Sequence, residues 1–393
     1  MTDKNGSDRK YAEDGVNIVE GDSFSAFAGE LCRQTYGNSP YVEVRDFSIQ
    51  DSSEGHFRGP RGFRLKGLPD GCYTDLAPDG AGTKPVLIDA AKNYLEAAYG
   101  WVAMTCGDIT RWGGLPLVLV NNLDVRTLGN TGDTVNDACR MMMASLRFVC
   151  IEQGLVMFKG ETAELGACVG PDNPNANVTY LWSGVAHGVY HPDTIITGKT
   201  VKAGMVVIAL KENGFRNNGI SSVRKALEMK FGRNYLTSSK AASSVLQAAT
   251  PAVLYDRFLA RMNGWFQPNF KPIIRAHLIA HLSGGAIRSK FADDILFRKG
   301  LSADLNDLWD PPKIMQYCAD WRGISDEECY ETWNGGQGAL VVIEEQDVAH
   351  CIEMAATHGI QAKVAGRIES RPGTPRVTIE SKFRGDTVVY EPS

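Results

Sequence analysis

Apolar positions along the chain follow two periods, which separate predicted strands from predicted helices. Short apolar runs such as Leu115–Val120 indicate buried strands, whereas apolar residues three and four positions apart indicate helices. The predicted strands are Tyr73–Pro78, Leu115–Val120, Leu155–Phe158, Tyr180–Tyr190, Met205–Leu210 and Ala339–Ile343. The predicted helices are Pro85–Trp101, Asp133–Gln153, Ser221–Phe231, Tyr255–Gly264 and Val348–His358, with Gly154 and Gly359 ending two of them. A sheet in each half predicts a mixed α/β protein.

The order of these elements predicts two domains. A chain of 393 residues is long enough for two, and the strand–helix set changes near His191. We therefore expect residues 1–191 to form an N-terminal domain and residues 192–393 a C-terminal α/β domain. Residues 1–10 are polar and are expected to be disordered, and residues 51–74 are predicted to form a mobile loop because Gly, Arg and Ser are frequent there.

Charge and cysteine usage narrow the class of protein. Net charge is −5, from 41 Lys and Arg against 46 Asp and Glu, and no long basic run exists, which disfavours nucleic acid as a partner. No apolar run approaches the roughly 20 residues that cross a bilayer, and the polar start is not typical of a signal peptide. Nine cysteines without a C-x-x-C pair favour a reducing cytoplasm over a disulfide framework or a zinc site.

The segment Asp79-Gly-Ala-Gly-Thr-Lys84 carries the groups that bind a triphosphate and its magnesium ion. A carboxylate ligates Mg²⁺, glycines let backbone N–H groups approach phosphate oxygens, and Lys84 supplies positive charge. The string is not a P-loop. The simpler interpretation is a Gly-rich turn with an exposed lysine.

Two further acids follow at predicted element ends. Asp108 closes an apolar segment, and Glu161 follows the Leu155–Phe158 strand, so both are expected near the edge where α/β sheets bind ligands. The sequence thus predicts that Asp79, Asp108 and Glu161 hold one or two Mg²⁺ ions. The alternative is that Asp108 and Glu161 only cap helices.

Asn213–Gly219 follows a predicted strand and opens a predicted helix. Glycines at a helix N-terminus suit an anion, and Arg216 adds a donor fork for phosphate or carboxylate; a plain Asn/Gly turn is the alternative. His277 and His281 have helical metal-site spacing, but the segment fits better a strand that enters a Gly-rich turn. No nucleophile elbow or G-x-G-x-x-G occurs, so phosphoryl transfer is favoured over covalent catalysis.

In order along the chain, these strings resemble the motifs of the phosphoribosylformylglycinamidine cyclo-ligase (aminoimidazole ribonucleotide synthetase) family. The matching segments are Tyr11–Gly21, Asp79–Lys84, Met104–Asp108 with Gly113–Pro116, Gly160–Glu164, Gly214–Gly219 with Ser222–Arg224, Ile279–Gly285 and Tyr330–Gly338. The resemblance implies two α/β domains per protomer, with the N-terminal sheets of a homodimer pairing into a barrel. It also implies ATP- and Mg²⁺-dependent ring closure of formylglycinamidine ribonucleotide in purine biosynthesis, through phosphorylation of the formamide oxygen.

Carried over by position, the resemblance assigns roles to individual residues. Those implied to bind the nucleotide or its metal are Asp79, Gly80, Gly82, Thr83, Lys84, Asp108, Gly160, Glu161 and Gly219, and those implied in the reaction are Lys84, Arg216 and Asn218. The chain departs from the family pattern at Gly107, where Asn is usual, at Lys159, where Gly is usual, and at Arg216, where His is usual. An arginine does not titrate near pH 7, so it does not replace a histidine that shuttles protons.

Two other functions remain open from the sequence. One is a small-molecule kinase of the same superfamily, of the thiamine-phosphate or selenide type. The other is a catalytically silent homologue that binds a nucleotide. The departures from the family pattern at Gly107 and Arg216 favour this alternative.

Overall fold

A computed structural model describes residues 18–47, 60–170, 173–283, 285 and 287–392. The expected disorder of residues 1–10, most of the Tyr11–Gly21 motif and residues 51–59 of the predicted loop lie outside the described residues. Part of the described remainder is regular, because Arg61–Leu65 (β2) pairs antiparallel with Val42–Asp46 (β1) as a two-stranded ribbon, whereas residues 66–72 are a loop. The predicted mobile loop is therefore wrong for β2.

The first half contains a four-stranded sheet in the order β3-β6-β4-β5. Its strands are Tyr73–Gly80 (β3), Leu115–Val125 (β4), Val156–Glu164 (β5) and Tyr180–Tyr190 (β6). β4 and β5 are parallel, and the other pairs are antiparallel. β5 runs further than predicted because its pairing with β4 continues beyond a bulge near Phe158, so Glu161 lies within the strand rather than after it.

Helices cover one face of this sheet. They are Ile18–Arg33 (α1), Pro85–Ala91 (α2), Ala97–Thr110 (α3) and Thr134–Gln153 (α4). The predicted single helix Pro85–Trp101 is wrong, because Lys92 adopts a left-handed conformation that closes α2. The long helix that ends at Gly154 is confirmed, with Gly154 in the left-handed conformation that favours glycine at this position.

The second half contains a seven-stranded sheet in the order β13-β12-β9-β11-β7-β10-β8. Its strands are Val206–Lys211 (β7), Leu278–His281 (β8), Ser302–Leu305 (β9), Gln337–Ile343 (β10), Ala362–Glu369 (β11), Val377–Glu380 (β12) and Thr387–Tyr390 (β13). Its helices are Ile220–Phe231 (α5), Ala242–Ala248 (α6), Asp256–Met262 (α7), Lys313–Arg322 (α8), Asp326–Thr332 (α9) and Val348–Thr357 (α10), with a π-helix at Ile287–Leu296. β8 matches the strand predicted for the His277–His281 segment, whereas residues 284 and 286 of the turn predicted after it lie outside the described residues.

The cores explain why the strands are apolar at every position. In β7, Val207 and Ala209 pack into one cluster and Ile208 and Leu210 into another, so both faces of the sheet are buried. A third cluster joins helices of the two halves, since Trp101 and Leu146 share it with Phe215, Leu227 and Met315 among others. The prediction of an α/β fold is confirmed, and the domain boundary at residue 191 stays a prediction. Among the described residues, no helix is long and apolar enough to cross a membrane.

Candidate active site

Asp79 ends β3 on the side of the sheet that faces α3. The strand register pairs Asp79 with Gly184, and a Cβ at Gly184 would lie 2.5 Å from the Trp101 ring of α3. Directly paired residues share a face of the sheet, so Asp79 also points towards α3. Its carboxylate accepts a hydrogen bond of 2.6 Å from the backbone N–H of Gly80.

Asp108 joins Asp79 electrostatically. It lies near the C-terminal end of α3, not at a strand end. Burial raises the pKa of Asp79, the Gly80 N–H opposes that shift, and the negative charge of Asp108 raises the pKa further. Lys290 of the π-helix opposes it in turn. Two repelling carboxylates in a half-buried position are an arrangement that a cation stabilises.

Glu161 does not join this pair. Its strand partner is Asn122, one position beyond the row that contains Asp79, Gly184 and Asn121, so Glu161 points to the opposite face of the sheet. Three steps between strands separate β3 from β5, or about 14 Å. Within the described residues, no three or more His, Cys, Asp or Glu side chains form a group that could hold a metal. The expected convergence of three acids on one ion is not seen within one chain.

Glu161 instead lines a cavity of about 480 Å³ beside the edge strand β5. The other residues that line it are Ser25, Ala28, Cys32, Arg61, Asn121, Met143, Met157, Lys159, Gly160 and Thr162. Arg61 is fixed there by Asp46, 3.1 Å away, and donates 3.3 Å to the carbonyl of Phe158. A cavity of this volume, lined by charged, polar and apolar side chains, has the size of a small-molecule site.

Lys84 has a different environment from the predicted one. Its side chain is buried, and Nζ donates to the backbone carbonyls of Phe215 at 2.6 Å and Thr250 at 2.7 Å. Burial lowers the pKa of Lys84 to about 8. The ammonium group thereby ties the Asp79 loop to the second half of the chain, and this geometry gives no support to a contact with phosphate.

Part of the Asp79 loop stays near solvent, although Ala81 is buried. Gly82 has φ of 56°, and Gly82 and Thr83 are exposed. Asn217 donates 3.2 Å to the carbonyl of Gly80, and a Cβ at Gly82 would lie 3.4 Å from the carbonyl oxygen of Asn217. The loop is therefore held against the 213–219 segment, and Gly82 and Thr83 remain accessible to a ligand.

Arg216 is buried, and its guanidinium contacts groups of four residues, one of them the carbonyl of Val253 at 3.5 Å. It contacts Glu212 at 3.0 Å, the carbonyl of Ala103 at 3.2 Å, and Nε2 of His281 at 2.7 Å. Burial raises the pKa of Glu212, while Arg216 and two backbone N–H groups favour its ionised form. The structure gives no support to a fork for a ligand, because both terminal nitrogens of Arg216 bond to protein groups.

Asn218 and Gly219 occupy the start of α5. Asn218 is exposed, and Gly219 has φ of 73° at the N-cap position. A Cβ at Gly219 would lie 2.5 Å from the carbonyl oxygen of Thr332, so only glycine fits beside the C-terminal end of α9. Packing accounts for this glycine without a ligand.

Sequence reasoning missed three residues of this region. Asn121 lines the β5 cavity and also a shallow depression that includes Asp79. The sequence pattern predicts only a strand end at His281, and it gives no signal at Lys290. The departure at Gly107 was a usable signal, because a Cβ there would lie 2.6 Å from Nε2 of His281.

Comparison with known proteins gives the same family as the motifs. Residues 202–377 match the model described as AIR synthase related protein, C-terminal domain. A protein of Myxococcus xanthus is 27% identical over 94% of this chain and 99% of its own length, and one of Oceanobacillus iheyensis is 27% identical over 75% and 80%. Both are named phosphoribosylformylglycinamidine cyclo-ligase, so the resemblance is confirmed.

Solved structures share the fold at low identity. A thiamine-monophosphate kinase from Stenotrophomonas maltophilia has a TM-score of 0.56 and 13% identity, covering 90% of this chain and 95% of its own. The hydrogenase maturation protein HypE in complex with ATP has a TM-score of 0.52 and 14% identity, covering 83% and 86%. At this identity the likeness shows the fold alone.

Proposed function

Because the chain is a relative of the phosphoribosylformylglycinamidine cyclo-ligases, which form carbon–nitrogen bonds, we propose that it closes formylglycinamidine ribonucleotide to aminoimidazole ribonucleotide. In this proposal ATP phosphorylates the formamide oxygen, the amidine nitrogen attacks that carbon, and ADP and phosphate leave. The supporting observation is that full-length relatives with this activity in their name align over 94% of the chain. The motifs of the Asp79 loop, Gly160–Glu164 and the 213–219 segment fall within that span.

We propose that the nucleotide enters the cavity beside β5. Gly160 and Glu161 line it, Lys159 is exposed at its rim, and Met143 and Met157 supply apolar surface for a base. The shared lining residue Asn121 connects this cavity with the depression at Asp79. Support from outside the chain is limited to the fold, which it shares with a protein whose structure contains ATP.

The residues fit Mg²⁺ at Asp79 and Asp108 rather than at three acids. Burial raises the pKa of Asp79, the charge of Asp108 raises it further, and Lys290 does not cancel the shift. Mg²⁺ is commonly held by one or two carboxylates together with phosphate oxygens and waters. When bound, the ion would neutralise charge on the transferred phosphoryl group. Gly82 and Thr83 would offer backbone and hydroxyl donors to phosphate beside it.

The proposal includes a homodimer through the exposed face of the four-stranded sheet. Leu76, Leu181 and Val120 are large apolar residues exposed on this face of the sheet. A second copy of the chain would cover this face and join the two sheets into the barrel that the family resemblance implies. The division into a nucleotide-binding half before residue 191 and an α/β half after it belongs to the same proposal.

One assay tests the function against its alternatives. The purified chain is incubated with Mg²⁺–ATP and formylglycinamidine ribonucleotide, and ADP and aminoimidazole ribonucleotide are measured in parallel. Equal amounts of both products are expected. ADP formed only with thiamine phosphate or selenide would move the chain to the kinase function. Absence of ATP turnover with every substrate, in the presence of measurable nucleotide binding, would identify a silent homologue.

Asp79→Asn is expected to remove the turnover and leave the fold. The substitution keeps the shape of the side chain but halves the negative charge of the pair with Asp108, so kcat should fall by at least about 10²-fold. The melting temperature should stay within a few degrees of that of the parent chain. Asp75→Asn, on the same strand, is the control, since Asp75 only accepts from Tyr190 and the Leu76 N–H. Equal kcat in Asp79→Asn and the parent chain would remove Asp79 from the site.

A further inference from the structure

Arg216 and Gly107, two positions where the chain departs from the cyclo-ligase motifs, both lie against the imidazole of His281. Arg216 Nη2 lies 2.7 Å from Nε2 of His281, and a Cβ at Gly107 would lie 2.6 Å from the same nitrogen. An asparagine at position 107 would therefore displace the ring. The two substitutions belong together, because Gly107 makes the space in which Arg216 and His281 meet.

The contact fixes the protonation of His281. A guanidinium only donates hydrogen bonds, so Nε2 accepts from Arg216 and the neutral ring carries its proton on Nδ1. Burial, and then the charges of Arg216, Lys290 and Arg111, hold the pKa of His281 well below its usual value. Glu212 at 3.0 Å and the carbonyl of Ala103 at 3.2 Å keep the guanidinium in place.

The proton on Nδ1 has no acceptor among the described residues. His281 is only 4% exposed, yet its Nδ1 is without a hydrogen-bond partner there. A buried donor without a partner is unfavourable, and native proteins retain few such groups, chiefly where a ligand, an ion or water completes them. Lys290 donates 3.4 Å to the carbonyl of His281, and its charge acts on Asp79 and Asp108. His281 thus lies next to position 107, which precedes Asp108, and it shares Lys290 as a neighbour with the acid pair of the candidate site.

We propose that the Nδ1–H of His281 donates a hydrogen bond to a carbonyl or phosphoryl oxygen of the bound ligand, with Arg216 as the positioning residue that holds the donating tautomer. This inference rests on the proposed function, in which the formamide oxygen and its phosphorylated form carry developing charge. A neutral imidazole stabilises that charge without giving up its proton. In this proposal His281 makes the hydrogen bond to the reacting oxygen. A proton shuttle at position 216 is then not required.

A pair of substitutions separates the donor from the rest of the ring. In His281→Asn the amide nitrogen reaches the position of Nδ1, whereas in His281→Gln it reaches the position of Nε2 and leaves the Nδ1 position without a donor. We expect kcat of His281→Gln to fall about 10²-fold or more, and kcat of His281→Asn to remain at least tenfold above it. Equal kcat in the parent chain and His281→Gln would overturn the proposal. Melting temperatures of both variants check that each one folds.

The tautomer is measured directly on the full chain. With ¹⁵N-labelled histidine, seven imidazoles contribute signals, and the signals absent from His281→Asn identify His281. We expect one protonated nitrogen, Nδ1, from pH 6 to 8, and a mixture of tautomers in Arg216→Lys. A charged ring, or a proton on Nε2 in the parent chain, would overturn the proposal.

Ligand addition separates this inference from the proposed function. Inorganic phosphate and ADP with Mg²⁺ are added in turn, and the Nδ1 proton is expected to shift with at least one of them. A chain that shifts but shows no turnover of formylglycinamidine ribonucleotide would refute the function and retain the donor. A chain that turns the substrate over without any shift of this proton, in either the phosphate or the ADP titration, would refute the donor alone.

Discussion

At the scale of single residues, two charged side chains that the motifs assign to a ligand are buried and bond to protein groups instead. Lys84 was predicted from its motif to meet phosphate, yet its acceptors Phe215 and Thr250 lie 131 and 166 residues away in sequence. No local pattern reveals partners at that separation. Arg216 was likewise identified as a departure, whereas its contact with His281 needed the fold. The sequence located these positions and the packing determined what they do.

Asp256 offers a test of buried charge at this scale. It is fully buried and accepts 2.7 Å from Thr110, and burial raises the pKa of Asp256 to about 6. An unfolded aspartate titrates near 4, so between pH 4 and 6 the folded state binds the proton more tightly, and stability falls as pH rises through that window. Asp256→Asn should therefore be more stable than the parent chain at pH 7, by up to ~3 kcal/mol.

The difference should vanish below pH 4, where both chains are neutral at position 256. Urea unfolding from pH 4 to 7.5 measures it, with Asp70→Asn, a substitution at an exposed position, as the control. A constant difference between Asp256→Asn and the parent chain at all pH values would contradict the pKa shift.

At the scale of elements, periodicity predicts a strand or helix correctly where strand pairing and burial hold the same pattern over many residues. Tyr180–Tyr190 was correct at both ends, because it pairs along its length with β3 and β4 and alternates between buried and exposed positions. Pro85–Trp101 was wrong because one left-handed residue, Lys92, interrupts it without altering the apolar spacing. Glu161 was placed after its strand because the bulge at Phe158 shifts the alternation. That single residue determines the face on which Glu161 lies, and so the failure of the three-acid site.

Gly366 tests how tightly a bulged strand packs. It lies in β11 where the register against β7 shifts, and a Cβ there would lie 1.8 Å from the carbonyl oxygen of Asp304. Backbone cannot yield to such a contact without breaking the pairing of β11 with β9, so Gly366→Ala should lose about 3 kcal/mol of stability. Gly62→Ala in β2 is the matched control, since its nearest neighbour would be 3.9 Å away, and it should change stability by less than about 0.5 kcal/mol. Similar denaturant midpoints for the two variants would contradict this packing.

At the scale of the whole molecule, the exposed sheet face is the feature that a single chain leaves unexplained. Leu76 and Leu181 are 62% and 57% exposed. If a second copy covers them, sedimentation should give twice the mass of one chain, and the variant Leu76→Glu with Leu181→Glu should sediment as a monomer, because charge is costly in a dry interface. Leu246→Glu, 53% exposed on α6, is the control and should keep the parent mass. A parent chain that sediments as a monomer at micromolar concentration would refute the barrel.

The apolar cluster shared by both halves determines whether the two halves stay associated after the backbone between them is cleaved. Trp101 and Leu146 lie in the same cluster as Leu227 and Met315, and Lys84 adds two hydrogen bonds across the same contact. Cleaving the backbone near residue 191 should therefore leave a nicked protein whose pieces co-purify and melt in one transition. Neither piece expressed by itself would have a partner for its share of that surface, so each should require the other, supplied in trans, to remain in solution.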